Sequence, residues 1–177
     1  MGRVAQHTIA LLVVVIGWAF SAQLLAQSDQ GAISLAISVE PRQEGREHLA
    51  HITLRNTGSD VVNLLQDNLP WGPSLAGMQI QAWRAIPPYA PLKKINLFAH
   101  SDKLVEIRPG EALSGVVRLS RRFPELDDVL REAEVMFFWG YRALPLGPDL
   151  KAGNPHQSLP LTGSFVIRNP SDSDPKR

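Results

Sequence analysis

From residue 33 onward the apolar positions of this chain recur mostly with a period of two. In "ISLAISVE" (33–40) they fall at Ile33, Leu35, Ile37 and Val39, the alternation of a half-buried strand. "LAHITLRN" alternates again, with Leu49, His51, Thr53 and Arg55 on one face and Ala50, Ile52 and Leu54 on the other. Between them "PRQEGRE", with Pro41 and Gly45, reads as a polar turn. "NTGSD" is a second turn, because Asn and Gly tolerate positive φ while Asp and Ser side chains bond nearby backbone. "VVNLL" follows it, so these two strands are expected to form a hairpin.

"MQIQAWRA" (78–85) places Met78, Ile80 and Ala82 on one face and Gln79, Gln81 and Trp83 on the other. "KLVEIRPGEALSGVVRLS" reads as a strand, a turn at Pro109-Gly110, and a strand through Val116, Val117 and Leu119. "EVMFFWGYRAL" and "LPLTGSFVIRN" supply the last two strands. One segment departs from the pattern. In "RRFPELDDVLREAE", Leu126, Val129 and Leu130 stand at helical spacing behind Pro124, so one short helix is predicted near 123–133. The proline-bearing segments 66–77 and 86–101 read as loops. Seven to eight short strands with a single helix predict an all-β fold, one immunoglobulin-like antiparallel β-sandwich over 27–169. The polar "PSDSDPKR" (170–177) is expected to be a disordered tail.

The N-terminus has a different organisation: Arg3, an apolar run from Ile9 to Phe20, then small and polar residues. This is the layout of a secretory signal peptide over 1–26, with cleavage after Ala26, or after Ser21 or Ala22. Left uncleaved through Leu25, the same run makes a membrane anchor, the one membrane contact the sequence offers. An exported protein, periplasmic or secreted, is expected. Loss of Arg3 leaves 17 basic residues facing 17 acidic ones. That balance argues against nucleic acid as a partner, which calls for a clustered positive field. The chain has no cysteine, so it has no disulfide and no thiolate metal site.

The residues that carry chemistry are sparse. "EHLAH" places His48 and His51 three apart, whereas a zinc-protease helix needs two histidines four apart. On a strand, residues three apart point to opposite faces and cannot share a metal without a bulge. There is no G-x-S-x-G elbow and no glycine-rich phosphate loop. Asp127, Asp128, Glu132 and Glu134 suit a solvated helix face. No catalytic residue, metal site or cofactor is expected.

Tryptophans are the better lead. Trp83 lies on the more polar side of its strand, where it can stack a sugar or grip a peptide unless the helix or the long loop covers it. Trp71, between Pro70 and Gly72, is either a loop anchor or a rim contact, and Trp139 is assigned to the core. With Tyr89 in the 86–101 connection, Trp71 and Trp83 make up the candidate binding set.

The order "LAHITLRNTGSDVVNLLQD", "MQIQAW", "LVEIRPGEALSGVVRLSRRFPEL" and an aromatic strand resembles the immunoglobulin-like N-terminal region that precedes the catalytic domain in lysine-specific and deuterolysin-type secreted metallopeptidases. That family has a "TNTG" turn before a leucine strand and a "PG" before a "DLS" segment. The matching positions here are Asn56, Thr57, Gly58, Leu64, Leu65, Pro109, Gly110, Leu119 and Ser120, within a resemblance running from Ile33 to Tyr141. The family's HExxH helix is absent, so no catalytic residue carries over. The resemblance implies a stand-alone exported sandwich, similar to a domain that assists or restrains a peptidase.

The expected function is therefore an exported, non-enzymatic binding or scaffolding module whose partner is another exported protein or a peptide. Two alternatives stand beside it. One is a peptidase inhibitor or pro-domain-like regulator, and the other is a metal-binding accessory protein using His48, His51 or His100.

Overall fold

The computed structural model of the chain describes residues 33–73, 77–96, 101–146 and 159–168. The expected signal segment, the tail, His100 and His156 lie outside the described residues. Among the described residues there are eight strands: β1 (Leu35–Glu44), β2 (Glu47–Asn56), β3 (Val62–Leu65), β4 (Gln79–Arg84), β5 (Leu104–Ile107), β6 (Ala112–Arg118), β7 (Val135–Tyr141) and β8 (Leu161–Ile167). They pair antiparallel in the orders β1-β2-β6, β4-β7-β8 and β3-β5. The two three-stranded sheets carry the strand sets A-B-E and C-F-G of an immunoglobulin-type sandwich. Among the described residues no helix is long and apolar enough to cross a membrane.

The core follows from alternation. Ala50, Ile52 and Leu54 of β2, Ile80 and Ala82 of β4, and Val135 and Phe137 of β7 are buried and belong to one cluster. Phe137 stacks on Phe165 of β8, ring centroids 4.9 Å apart, and meets Phe123 edge-on at 5.7 Å. Burial of each such aromatic is worth about 1.5–3 kcal/mol. Tyr141, at the end of β7, donates its hydroxyl to the Asn68 carbonyl at 2.9 Å, and burial pushes that phenol well above its usual range.

Four details differ from the sequence reading. β1 runs on through Pro41 to Glu44, where a turn was expected, because β1 is an edge strand and tolerates a residue without an N–H. The turn is confined to Gly45-Arg46, with Gly45 at φ 61°, the positive value that tight hairpins demand. Secondly, β2 and β3 do not form a hairpin. β2 pairs with β1 and β6, and β3 pairs with β5. The buried Asn56 redirects the chain: its amide nitrogen donates to the carbonyls of Asp60 and Ile107, and its side-chain oxygen accepts from the Gly58 N–H.

Thirdly, the single predicted helix is two, α1 (Leu119–Arg122) and α2 (Leu126–Leu130). The break falls at Phe123, φ −128°, ψ 85°, because the ring of Pro124 excludes the helical conformation from the residue before it. Fourthly, Leu119 and Ser120, read as the end of a strand, belong to α1. That places the Ser120 hydroxyl 2.9 Å from the His48 N–H, which it accepts.

Candidate binding face

Strand periodicity sends His48 and His51 to opposite sides of β2. His48 points inward and is buried, with Nε2 3.7 Å from Asp127 Oδ1 of α2. His51 points outward, its Nε2 3.1 Å from Glu44 Oε1. The two imidazoles therefore face different neighbours. Among the described residues no three His, Asp or Glu side chains gather into a metal-binding set.

The tryptophans divide by what lies opposite them. On β6, Gly115 is paired with Ile52, and Trp71 seats its indole where a Gly115 side chain would stand: an added Cβ would lie 2.1 Å from Trp71 Cδ2. Trp139 does the same on β8, where an added Cβ on Gly163, its register partner, would lie 2.5 Å from Trp139 Cζ2. Both indoles pack against the core cluster. Trp71 is thus an anchor that ties its loop to the first sheet.

Trp83 has no such seat. It stands on the outer side of β4 and keeps 36% of its surface exposed. Its register partner is Met136 on β7, whose partner in turn is Val166 on β8. The next outward row is Gln81, Phe138 and Ser164, and the third is Gln79, Gly140 and Thr162. Phe138 and Val166 are exposed by 44% and 40%. These nine outward positions include no charged residue. A set of outward positions that combines an exposed aromatic pair with flanking amides and hydroxyls has the composition of an interface centre.

Beyond Arg84 the chain turns back along the free edge of β4. Arg84 N–H donates to the Ala90 carbonyl at 3.0 Å and Leu92 N–H to the Ala82 carbonyl at 2.8 Å, so Trp83 and Pro91 lie side by side. The turn between them carries Ile86, 41% exposed, and Tyr89, 69% exposed. Two of the three sequence-predicted binding residues thus fall at one end of β4, Trp83 on the face and Tyr89 on the turn leaving it. The third, Trp71, is spent on packing.

Met136, Phe138 and Val166 were missed by sequence reasoning, although a signal existed. "VMFFWGY" is apolar at both parities, Val135, Phe137, Trp139 and Tyr141 against Met136 and Phe138, and only one parity of a sheet-forming strand can face a single core.

The outer side of the first sheet is different. There Ser38, Glu40, Arg42, His51, Thr53, Ser114 and Val116 line a shallow concavity of about 330 Å3. Its charges are already engaged, Arg42 with Glu40 at 3.0 Å and His51 with Glu44 at 3.1 Å, and Thr53 shares a hydrogen bond with Ser114 at 3.1 Å. A ligand entering there must displace satisfied partners.

No protein-family model matches the chain, and no curated protein is similar to it in sequence.

Proposed function

We propose that this chain is an exported, non-enzymatic binding module that holds another exported protein or a peptide on the outer face of the β4-β7-β8 sheet. The observation that carries this reading is the charge-free face itself, with Trp83, Phe138 and Val166 standing exposed on three neighbouring strands. Exposed aromatic side chains flanked by uncharged polar groups supply most of the binding energy where partners meet. The signal-like N-terminus supports the exported compartment.

The test is capture from the native exported fraction with the parent chain, Trp83→Ala and Phe138→Ser in parallel. One retained protein or peptide, lost from both variants while both stay folded, is the expected result. Equal retention by all three removes the face from the reading. Saturable hydrolysis of an ester, glycan or peptide by the purified parent, abolished by a single substitution, overturns the non-enzymatic half.

A second reading has its own observation. The turn 86–90 presents Ile86 and Tyr89 on a stretch braced by Pro87, Pro88 and Pro91, and such a turn fits a peptidase cleft, as an inhibitor or pro-domain-like regulator would. Inhibition of one enzyme in a protease panel, relieved by Tyr89→Ala but not by Trp83→Ala, selects it over the first.

A further inference from the structure

Most surface arginines of this sandwich meet a carboxylate, although Arg55 donates instead to the Gly110 carbonyl at 3.2 Å. Arg42, Arg108, Arg118 and Arg131, all on the surface, each meet a carboxylate, at 3.0, 3.0, 3.5 and 2.9 Å. Arg122, at the end of α1, is 9% exposed and meets no carboxylate among the described residues. Its guanidinium donates to the neutral carbonyl of Met78, at a long 3.4 Å. A buried cation without a counter-charge is costly, and a guanidinium has five N–H donors of which this contact uses one.

A second cation lies beside it. The backbone N–H of Ile95 donates to the Arg122 carbonyl at 2.8 Å, which fixes the segment carrying Lys94 alongside α1. Lys94 Nζ reaches Gln79 Oε1 at 3.5 Å, again a neutral oxygen. Burial lowers the Lys94 ammonium from its ordinary value, and the charge of Arg122 lowers it further; burial lowers Arg122 as well. The carboxylate nearest in sequence, Glu125, accepts the backbone N–H of Lys93.

We propose that Arg122 and Lys94 together form a binding site for a small oxyanion, a carboxylate or a phosphate, at the Gln79 corner of the β4-β7-β8 sheet. The planar guanidinium supplies a bidentate fork and the ammonium a movable point charge, the combination that holds carboxylate and phosphate oxygens. The site requires no protein partner and stands whether or not the outer face binds one.

Inorganic phosphate and acetate are titrated separately into the full chain at constant ionic strength, against chloride, with the amide resonances of Lys94, Ile95 and Arg122 followed by NMR. Saturable shifts with at least one of the two oxyanions and none with chloride are expected, and which oxyanion binds tighter tells a phosphate from a carboxylate site. Lys94→Gln, a change at a half-buried side chain, is expected to weaken that binding about tenfold, the size of one charge-assisted hydrogen bond. Shifts that are linear in concentration or equal for chloride overturn the proposal, and so does Lys94→Gln binding as tightly as the parent. Because the parent titration alone can overturn it, the outcome does not depend on how an Arg122 substitution folds.

Discussion

The two outer faces of the sandwich are built alike and behave differently. Each comes from three antiparallel strands, and each shows solvent every second side chain. On β1-β2-β6 the outward positions include Glu40, Arg42, His51, Arg55 and Arg118, and the charges pair along the surface. On β4-β7-β8 the outward positions include none, and Trp83, Phe138 and Val166 stand there exposed. Covering the first face means stripping water from ions, which costs more than their weak surface pairing returns. Covering the second strips water from carbon and a few amides, which is favourable. The lesson is that a strand pattern alone does not tell which outer face is costly to cover; the charge count at outward positions does.

The sharpest way to break this comparison is to erase the difference. Phe138→Asp places one carboxylate at the centre of the charge-free face. We expect partner retention to fall by at least about a hundredfold, because a desolvated, unpaired carboxylate opposes docking. The fold is expected to survive within about 1 kcal/mol in urea, since the side chain is solvent-facing. Thr53→Asp on the other face is the matched control and should leave retention unchanged; equal losses from the two variants dissolve the distinction.

A second experiment asks whether the two sheets differ only on their outer sides. Gly115→Ala and Gly163→Ala each drive a Cβ into an indole, of Trp71 and Trp139 respectively. Both are expected to lower stability by about 1–3 kcal/mol in urea unfolding, the usual cost of overpacking a core. Neither is expected to alter retention per folded molecule. A variant as stable as the parent shows that its indole is not seated on the glycine.

The smallest effect sharpens the charged side. Glu44→Gln removes the partner of His51 on an exposed pair, and stability is expected to shift by no more than about 0.5 kcal/mol, with the difference shrinking as salt is added. A loss of several times that size means that this face holds the fold together rather than merely keeping it solvated.

Much of the fold was legible because strand alternation is a local property. Gln79–Arg84 lies inside a segment marked as a strand by its period of two, and Val135–Tyr141 and Leu161–Ile167 lie inside the last two predicted strands. His48 and His51 could be sent to opposite faces on the same ground. The partner of β3 was not legible: the "NTGSD" turn invites a hairpin, and only the buried hydrogen bonds of Asn56 to Asp60 and Ile107 show where the strand goes instead. The candidate face was half legible. Trp83 stood out beside its glutamines, but Phe138 and Val166 did not, because an apolar side chain carries no mark of which layer will cover it.

The sequence by itself determined most of the strands, a turn at Gly45, a helical stretch behind Pro124 and the absence of any disulfide. These depend on pleat, ring sterics and composition, which act over a few residues or need no geometry at all. Tertiary structure alone decided that Trp71 and Trp139 find a glycine opposite them and Trp83 does not. It alone assembled nine uncharged outward positions from three strands distant in the chain, and it left Arg122 buried beside Lys94 with no carboxylate among the described residues. Such outcomes depend on which distant residues share a register, and that is settled by burying the most apolar surface over the whole sandwich at once.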